Sequence, residues 1–176
     1  NAAFYGCNNV TDITLPFVGA SRSAIGYESN FGYIFGYETS SADYNKYSNL
    51  NVGDVYDSQT NNTSSNSVCY VYEVRNGQRY YKYYTYNTPS TIKTVTVTDA
   101  TQIASGAFAN SKNITKILLN DGITSVGDYA FQNCGMKDFA IPESVNKIGT
   151  YAFYGCTGLT EMHIPNAVTE IKKYTF

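Results

Sequence analysis

Few side chains in this sequence are suited to catalysis or to metal binding. His163 is the single histidine, and no second histidine or cysteine lies beside it to complete a zinc site. A nucleophilic pair of Cys156 and His163 would require the side chains to face each other, but the repeat described below places Cys156 inward and His163 outward. No spacing of a glycine-rich phosphate-binding loop occurs. We therefore expect no catalytic residue, no metal and no cofactor, and interpret His163 as a polar surface residue.

One group of oxygen-bearing side chains is a weaker candidate for binding a metal ion. Asp54 and Asp57 lie near Asn61 and Asn62 and would supply oxygen ligands of the kind that calcium prefers. The group lacks the regular acidic spacing of a calcium-binding loop. An ordinary solvated loop is therefore the preferred interpretation.

The four cysteines allow two interpretations. Disulfides would indicate an oxidising compartment. Cys7, Cys134 and Cys156, however, share one column of the repeat, and Ser111 takes the same position, which favours a small buried side chain. Cys134 and Cys156 would be neighbours pointing the same way, a poor geometry for a disulfide. Cys69 stands apart and is expected to be a buried free thiol.

An internal repeat gives the elements that position these residues. Phe108, Phe131, Phe153 and Phe176 follow one another at intervals of 23, 22 and 23 residues, and the first three are preceded by alanine. A period in this range predicts coils that stack on one another. In each coil the small and the large residue together would allow a tight turn with the aromatic ring at the centre.

Each coil is also predicted to contain one half-buried strand. In the last coil, Met162 and Ile164 alternate with Glu161 and His163, which is the period-two pattern of such a strand. Pro165 follows directly and would end the pairing, because proline has no N–H to donate. Residues 1–16 repeat the same pattern, since Ala-Phe-Tyr-Gly-Cys at 3–7 matches 152–156 position by position.

The order Leu-x-x-Ile-x-Ile-Pro, Val-x-x-Ile and Ala-Phe-x-x-Cys resembles the BspA-like (Treponema pallidum-type) leucine-rich repeat. The resemblance covers residues 92–176 well and 1–16 in part, and departs from the pattern at Ser111, Asn120 and Thr175. It implies a β-rich, right-handed solenoid with a parallel sheet on the concave face and short helical turns at Ala-Phe-x-x-Cys. It also implies display on a bacterial or protist cell surface, where adhesion and binding of host proteins are the associated activities.

The predicted organisation is a single domain in three parts. Residues 1–16 form a partial leucine-rich repeat, 17–91 an insertion within the solenoid, and 92–176 the main run of repeats. The insertion holds 13 of the 18 tyrosines and a polar tract at 58–67. Because the pattern begins and ends inside a repeat, we expect a fragment of a longer array.

A β-hairpin is predicted inside the insertion. The alternating run 68–74 and the tyrosine-rich run 80–86 are both rich in strand-forming residues. Asn76-Gly77 lies between them and suits a tight turn that needs φ > 0 at both central residues. The apolar run 31–36 is expected to pack the insertion onto the solenoid.

The composition argues against nucleic acid as a partner and against a membrane-spanning helix. The net charge is −2 and no basic stripe is present, so nucleic acid is not an expected partner. No apolar run reaches the length of about 18 residues that a membrane-spanning helix needs. Charged residues make up only 15%, while Tyr, Asn, Ser and Thr are abundant, which is typical of a secreted or surface protein.

Two surfaces are candidates for binding a protein or glycan partner. The first is the outward side of the concave strands, where the expected residues are Thr94, Thr96, Lys116, Leu118, Asp138, Ala140, Glu161 and His163. The second is the outward set of tyrosines in the hairpin, drawn from Tyr80, Tyr81, Tyr83, Tyr84 and Tyr86. The predicted function is a non-catalytic, surface-displayed adhesion module. The alternative is a structural spacer, in which the tyrosines are buried and the concave face has no partner.

Overall fold

The computed structural model describes residues 2–24, 26–42, 68–75, 78–86 and 88–176. This part of the chain is rich in strands and has few helices. The strands are β1 (Asp12–Leu15), β2 (Tyr37–Ala42), β3 (Val68–Arg75), β4 (Gln78–Tyr86), β5 (Thr94–Val97), β6 (Gln102–Ile103), β7 (Lys116–Leu118), β8 (Ser125–Val126) and β9 (Lys147–Ile148). Two short 3₁₀ helices, Gly26–Ser29 and Phe31–Phe35, lie between β1 and β2.

The first sheet joins three successive repeats through parallel strands in the order β1-β5-β7. Its register places Ile13 beside Val95 and Val95 beside Ile117, so the inward residues of the strands form one continuous column. Val95 and Ile117 are almost fully buried, while the residues beside them in sequence face outward. The prediction of a parallel sheet built from one strand per repeat is confirmed for these strands.

The prediction of a strand at 161–164 is wrong. Met162 and Ile164 are half-buried and alternate with exposed residues as expected, but the segment forms no strand. The preceding coil makes only an isolated bridge, between Lys116 and Asp138. Because that coil presents no continuous ladder of backbone groups, the last coil has no strand to pair with.

A second parallel sheet, in the order β6-β8-β9, lies on another side of the coils. Its strands have two residues each, and Ile103, Val126 and Ile148 form its buried column. The backbone beyond the strands continues the contact, since the Gly127 amide donates to the Ile103 carbonyl and the Gly149 amide to the Val126 carbonyl. The sequence analysis predicted one parallel sheet, so this second sheet is an addition to it.

The third side of each coil is the turn that carries the phenylalanine. The amide of Phe108 donates to the Ala130 carbonyl of the next coil at 2.7 Å, and Phe131 donates to Ala152 in the same way at 2.8 Å. The rings stack directly over one another, with centroids 5.5 Å apart for Phe108 and Phe131 and 5.2 Å apart for Phe131 and Phe153. The prediction that alanine and phenylalanine fill the centre of the coil is confirmed by their complete or nearly complete burial.

The predicted helical turns at Ala-Phe-x-x-Cys are single hydrogen-bonded turns. Cys134 donates to the Phe131 carbonyl, and Gln132 donates to the Tyr129 carbonyl, three residues back in each case. Tyr129 and Asn133 have positive φ, at 58° and 53°, and these left-handed residues bracket the turn on both sides. A left-handed residue cannot continue a right-handed helix, so the turn stops after one cycle.

Two departures from the repeat have local explanations. Asn120 replaces proline, and its carboxamide makes two hydrogen bonds to the backbone of Ala100 in the preceding coil, at 3.0 and 2.9 Å. Thr175 replaces alanine, and although it is buried its hydroxyl donates to the Lys172 carbonyl at 2.8 Å. Both polar groups are therefore satisfied inside the stack.

The predicted hairpin is confirmed. β3 pairs antiparallel with β4, and the register brings Arg75 opposite Gln78 across a two-residue connection. β2 pairs with the other edge of β4, which gives a three-stranded sheet in the order β2-β4-β3. Of the side chains in these strands, the structure describes that of Tyr86, which is completely buried.

The segment before β2 takes part in the stack of repeats. The amide of Phe31 donates to the Ala107 carbonyl at 2.7 Å, in the way that the phenylalanines of the later coils donate to theirs. The Phe31 ring stacks on Phe108, and the amide of Phe4 donates to the Ile34 carbonyl at 2.9 Å. The run 31–36 therefore occupies the place of a phenylalanine turn between the first coil and the coil of Phe108.

Candidate binding face

The outward side of the first sheet carries two columns of side chains, exposed except at the half-buried Thr94 and Thr96. One column runs along Asp12, Thr94 and Lys116, and the other along Thr14, Thr96 and Leu118. The bridge from Lys116 to Asp138 extends the first column by one coil. We call the outward residues of these two columns the first-sheet face, and they are Asp12, Thr14, Thr94, Thr96, Lys116, Leu118 and Asp138.

Five of the predicted concave-face residues are brought together on this face. Thr94 is the register partner of Lys116, and Thr96 is the register partner of Leu118. Asp138 is the bridge partner of Lys116. Parallel strands lie about 4.8 Å apart, so these five side chains form one surface that a single partner would cover.

Three of the predicted residues lie outside the strands. Ala140, Glu161 and His163 are exposed, as expected, but the segments that carry them make no described ladder with the sheet. The Nε2 atom of His163 lies 3.2 Å from Oε1 of Glu143, and both side chains are about 70% exposed. A polar contact so open to water contributes little to stability.

Sequence reasoning missed Asp12 and Thr14. Hydrogen bonds from the hydroxyls of Thr11 and Thr94 lower the pKa of Asp12, so its carboxylate stays charged at the edge of the face. The sequence itself indicated that Asp12 and Thr14 face outward, because residues 1–16 match the repeat and Ile13 and Leu15 occupy its strand positions. The outward neighbours of those two residues should have been included.

Leu118 is the apolar feature of the face. It is 45% exposed and stands at the end of β7, the edge strand of the first sheet. A single exposed leucine is ordinary, but this one lies beside Thr96 and next to the charged Lys116. An exposed apolar side chain beside polar groups is a common feature of a protein-binding patch.

The second candidate surface is formed by the tyrosines of the hairpin. Tyr86, one of the candidate partner-binding residues, is completely buried, so its inclusion was wrong. Its backbone lies at the end of β4 where the strand returns to the repeats, and the Cβ and ring of Tyr86 cover Gly32 closely. The backbones of Tyr80, Tyr81, Tyr83 and Tyr84 lie in β4, and their side chains are outside the described residues.

The second sheet borders a polar depression that the sequence analysis did not predict. It has a volume of about 520 Å³ and is open to solvent. Lys147, Lys172, Asp128 and Glu170 are among its lining residues, so charges of both signs are present. The depression lacks the single sign of charge that would select an ionic ligand.

The two buried cysteines of the repeats offer no reactive nucleophile. Cys134 and Cys156 are buried and free, as predicted, and burial raises the pKa of both thiols, that of Cys156 to about 11. The Sγ of Cys156 donates to the Phe131 carbonyl at 2.9 Å, whereas His163 faces solvent, so the two do not form a catalytic pair. Because the reactive species is the thiolate, thiols with raised pKa values are inert.

The prediction that the residues of the cysteine column are buried is wrong for Cys7. It is exposed, although Ser111, Cys134 and Cys156 at the equivalent position are buried. Cys134 is covered by the backbone of the preceding coil and contacts the Ser111 carbonyl, while no described coil covers Cys7 in that way. The side chain of Cys69 lies outside the described residues.

Two further findings concern absences. Among the described residues, no group of three or more His, Cys, Asp or Glu side chains is placed to hold a metal ion. The possible calcium ligands Asp54, Asp57, Asn61 and Asn62 lie outside those residues. Within the same described ranges, no helix has the length and apolar character needed to cross a membrane.

Parallel strands that recur at a period of 22 or 23 residues, with apolar side chains directed into stacked coils, define a leucine-rich repeat protein. The BspA type leucine-rich repeat region matches residues 79–176 in 6 copies, which is more than half of the chain. The chain therefore belongs to this family, as the resemblance predicted.

One solved structure is similar to part of the chain. It is a leucine-rich cell surface protein from Faecalibacterium prausnitzii A2-165, with 30% sequence identity and a TM-score of 0.40. The similarity covers 42% of this chain and 20% of that protein. No curated protein matches this sequence.

Proposed function

We propose that this chain is a non-catalytic binding module of a cell-surface protein, and that its first-sheet face contacts a protein partner in adhesion. Membership of the BspA-type family supports the surface location and the general class of function. On this proposal the stacked repeats form a right-handed solenoid with the first sheet on its concave side, the usual site of extended protein contacts in such folds.

The observation that carries the proposal is the composition of the first-sheet face. The exposed side chain of Leu118 stands on the edge strand β7 beside the hydroxyl-bearing Thr96, and Thr94 and the opposite charges of Lys116 and Asp138 form the neighbouring column. The paired strands already hold the backbones of Thr94, Thr96, Lys116 and Leu118 in place, so no backbone segment there has to be ordered when a partner binds. The chemistry suits a protein surface with one apolar contact and a polar rim.

The face is proposed for a protein and not for a glycan. Sugars are bound mainly by stacking on aromatic rings together with hydrogen bonds, and the seven residues of the first-sheet face include no aromatic residue. An exposed leucine has no such stacking surface, but it packs well against an apolar side chain. Glycan binding by this chain is therefore an alternative outcome of the test.

The test is a binding array of purified extracellular-matrix proteins and glycans, probed with the full chain and two single variants. Leu118→Glu changes the exposed apolar side chain of the first-sheet face, and Ser125→Glu is the matched control on the second sheet, with the same added charge. We expect Leu118→Glu to weaken binding to a matrix protein by at least about tenfold, about 1.4 kcal/mol, and Ser125→Glu to leave it unchanged.

A third variant separates the face from the inserted sheet. Residues 38–85 are replaced by a short linker, which keeps Phe31, Phe35 and Tyr86 in the core. Binding that persists in this variant and is lost in Leu118→Glu supports the proposal. Binding lost only with the insertion assigns recognition to β2–β4, and the absence of binding by a folded chain supports the spacer function.

A further inference from the structure

Three tyrosines form a column on the surface of the last three coils. Tyr129, Tyr151 and Tyr174 occupy the same repeat position, two residues before the phenylalanine of each coil. The ring centroids of Tyr129 and Tyr151 lie 5.1 Å apart with 8° between the planes, and those of Tyr151 and Tyr174 lie 4.9 Å apart with 23°. All three rings are partly exposed, Tyr174 by 47%. We call these three residues the tyrosine column.

The backbone at this position does not favour tyrosine. Tyr129, Tyr151 and Tyr174 have φ values of 58°, 58° and 59°, in the left-handed region that disfavours bulky side chains by roughly 1–2 kcal/mol each. Gly106 fills the same position in an earlier coil, at φ 66°, without that penalty. The fold itself therefore does not require tyrosine here. Repeated strain of this kind is an indication of function.

The rings are not placed to stack on a ligand. Tyr151 has one face against Tyr129 and the other against Tyr174, and the edge of Tyr154 meets it at 79°. The Nζ atom of Lys173 lies 4.5 Å from the centroid of the Tyr174 ring. A flat ligand such as a sugar needs an open ring face, and both faces of Tyr151 are covered within the column, so its accessible part is the ring edge.

We propose that the tyrosine column is a site of oxidative cross-linking, in which Tyr151 couples to Tyr129 or to Tyr174. The oxidant is hydrogen peroxide used by a haem peroxidase. Each phenol loses one electron and one proton, and the two phenoxyl radicals join through the carbon atoms ortho to oxygen. Each of those carbons then passes its hydrogen to the phenolic oxygen. Overall the chain loses two hydrogen atoms, and one peroxide is reduced to two waters.

The stacked geometry favours this coupling within one chain. The backbones at the column are hydrogen-bonded to each other, since the Tyr129 amide donates to the Thr150 carbonyl at 3.0 Å. Two radicals formed on neighbouring rings are therefore already in contact, and their encounter needs no diffusion. The product joins coils that are otherwise held only by hydrogen bonds and packing.

The experiment treats the full chain, at low concentration, with a haem peroxidase and limiting hydrogen peroxide, and digests the monomer with trypsin. Tyr129 lies in the peptide 117–137, and Tyr151 lies with Tyr154 in the peptide 148–172. We expect mass spectrometry to find these two peptides joined with the loss of two hydrogen atoms, or 148–172 joined to the peptide of Tyr174. Detecting this particular link is necessary because the chain has 18 tyrosines.

Two phenylalanine variants assign the link. Tyr151→Phe keeps a stacking ring but removes the phenol, and we expect the cross-linked peptides to disappear. Tyr154→Phe, in the same peptide, should leave them in place. A link that survives in Tyr151→Phe and is lost in Tyr154→Phe would overturn the proposal. The proposal would also be overturned if no link formed at the column while added N-acetyltyrosine coupled in the same mixture. Circular dichroism of both variants confirms that the fold is retained.

Discussion

Phe31 stacks on Phe108, with ring centroids 5.5 Å apart and 27° between the ring planes. The contact joins the 3₁₀ helix before the inserted sheet to the first phenylalanine of the main run of repeats. Phe31 also meets Phe35 edge to face at 5.4 Å, and Phe35 lies 5.9 Å from Phe4. The aromatic stack therefore runs from the first coil to the last through residues of a different sequence pattern.

Phe31→Ala is expected to destabilise the chain as an interior core mutation does. Phe31 is completely buried, so its truncation removes apolar burial and leaves a cavity, with a loss of about 3–5 kcal/mol in the free energy of unfolding. Phe176→Ala is the matched control, because that ring is 51% exposed and stacks on one neighbour. Chemical denaturation measures both. Equal losses would contradict the continuous stack.

The stack shows what the sequence could and could not predict. The alanine and phenylalanine columns were predictable because their apolar residues recur at a fixed period. Phe31 was not assigned to that column, since buried Asn30 stands where the pattern has alanine. The Asn30 side chain donates to the Gly106 carbonyl and accepts from the Gly32 amide, so it is satisfied in an apolar position. These two hydrogen bonds of Asn30 are visible only in the folded structure.

Other features escaped prediction for different physical reasons. β6, β8 and β9 have two residues each, which is too short to show an alternating pattern. The positive φ of Tyr129 and Tyr151 is a property of the backbone that tyrosine does not signal. The first-sheet face was largely predictable, because four of its residues stand directly beside inward residues that the repeat identifies. The omission of Asp12 and Thr14 came from stopping that argument at the main run of repeats.

Gly149→Ala is expected to disrupt the contact between two coils. A methyl group there would overlap the backbone of Gly127 and Asp128, and backbone cannot move aside as a side chain can. We expect a loss of about 2–3 kcal/mol in the free energy of unfolding, typical of overpacking. Gly122→Ala is the comparison, because its methyl group meets only the Nδ2 end of the Asn120 side chain, at 2.9 Å, and that end can move away, at most at the expense of its hydrogen bond to the Ala100 carbonyl. Thermal denaturation of the two variants should rank Gly149→Ala as clearly the more damaging.

Asn120→Ala tests the hydrogen bonds that replace the proline of the repeat. The carboxamide satisfies both the amide and the carbonyl of Ala100, which are left unpaired and partly buried when it is removed. The expected loss is about 1–3 kcal/mol in the free energy of unfolding. Asn120→Asp keeps the acceptor for the Ala100 amide and loses the donor to its carbonyl, so it should also destabilise. If Asn120→Asp were as stable as the unchanged chain, the second hydrogen bond would contribute nothing.

Alkaline pH should destabilise the chain through its buried thiols. Burial raises the pKa of Cys156 from the ordinary 9.0 to about 11, so the folded chain keeps a proton that the unfolded chain releases. The stabilisation is complete below pH 9.0 and is lost as the pH rises toward about 11, at up to about 1.4 kcal/mol per pH unit. Urea denaturation between these pH values measures the slope.

Cys156→Ser should reduce that slope while retaining the fold, because Ser111 occupies the same column and a hydroxyl can donate to the Phe131 carbonyl as the thiol does. Cys7→Ser is the matched control, since it removes an exposed thiol without touching the core. Thiol alkylation of the native chain supplies an independent check: Cys7 should react quickly, and Cys134 and Cys156 only after unfolding. Rapid labelling of Cys156 in the folded chain would show that its thiol is not held within the stack.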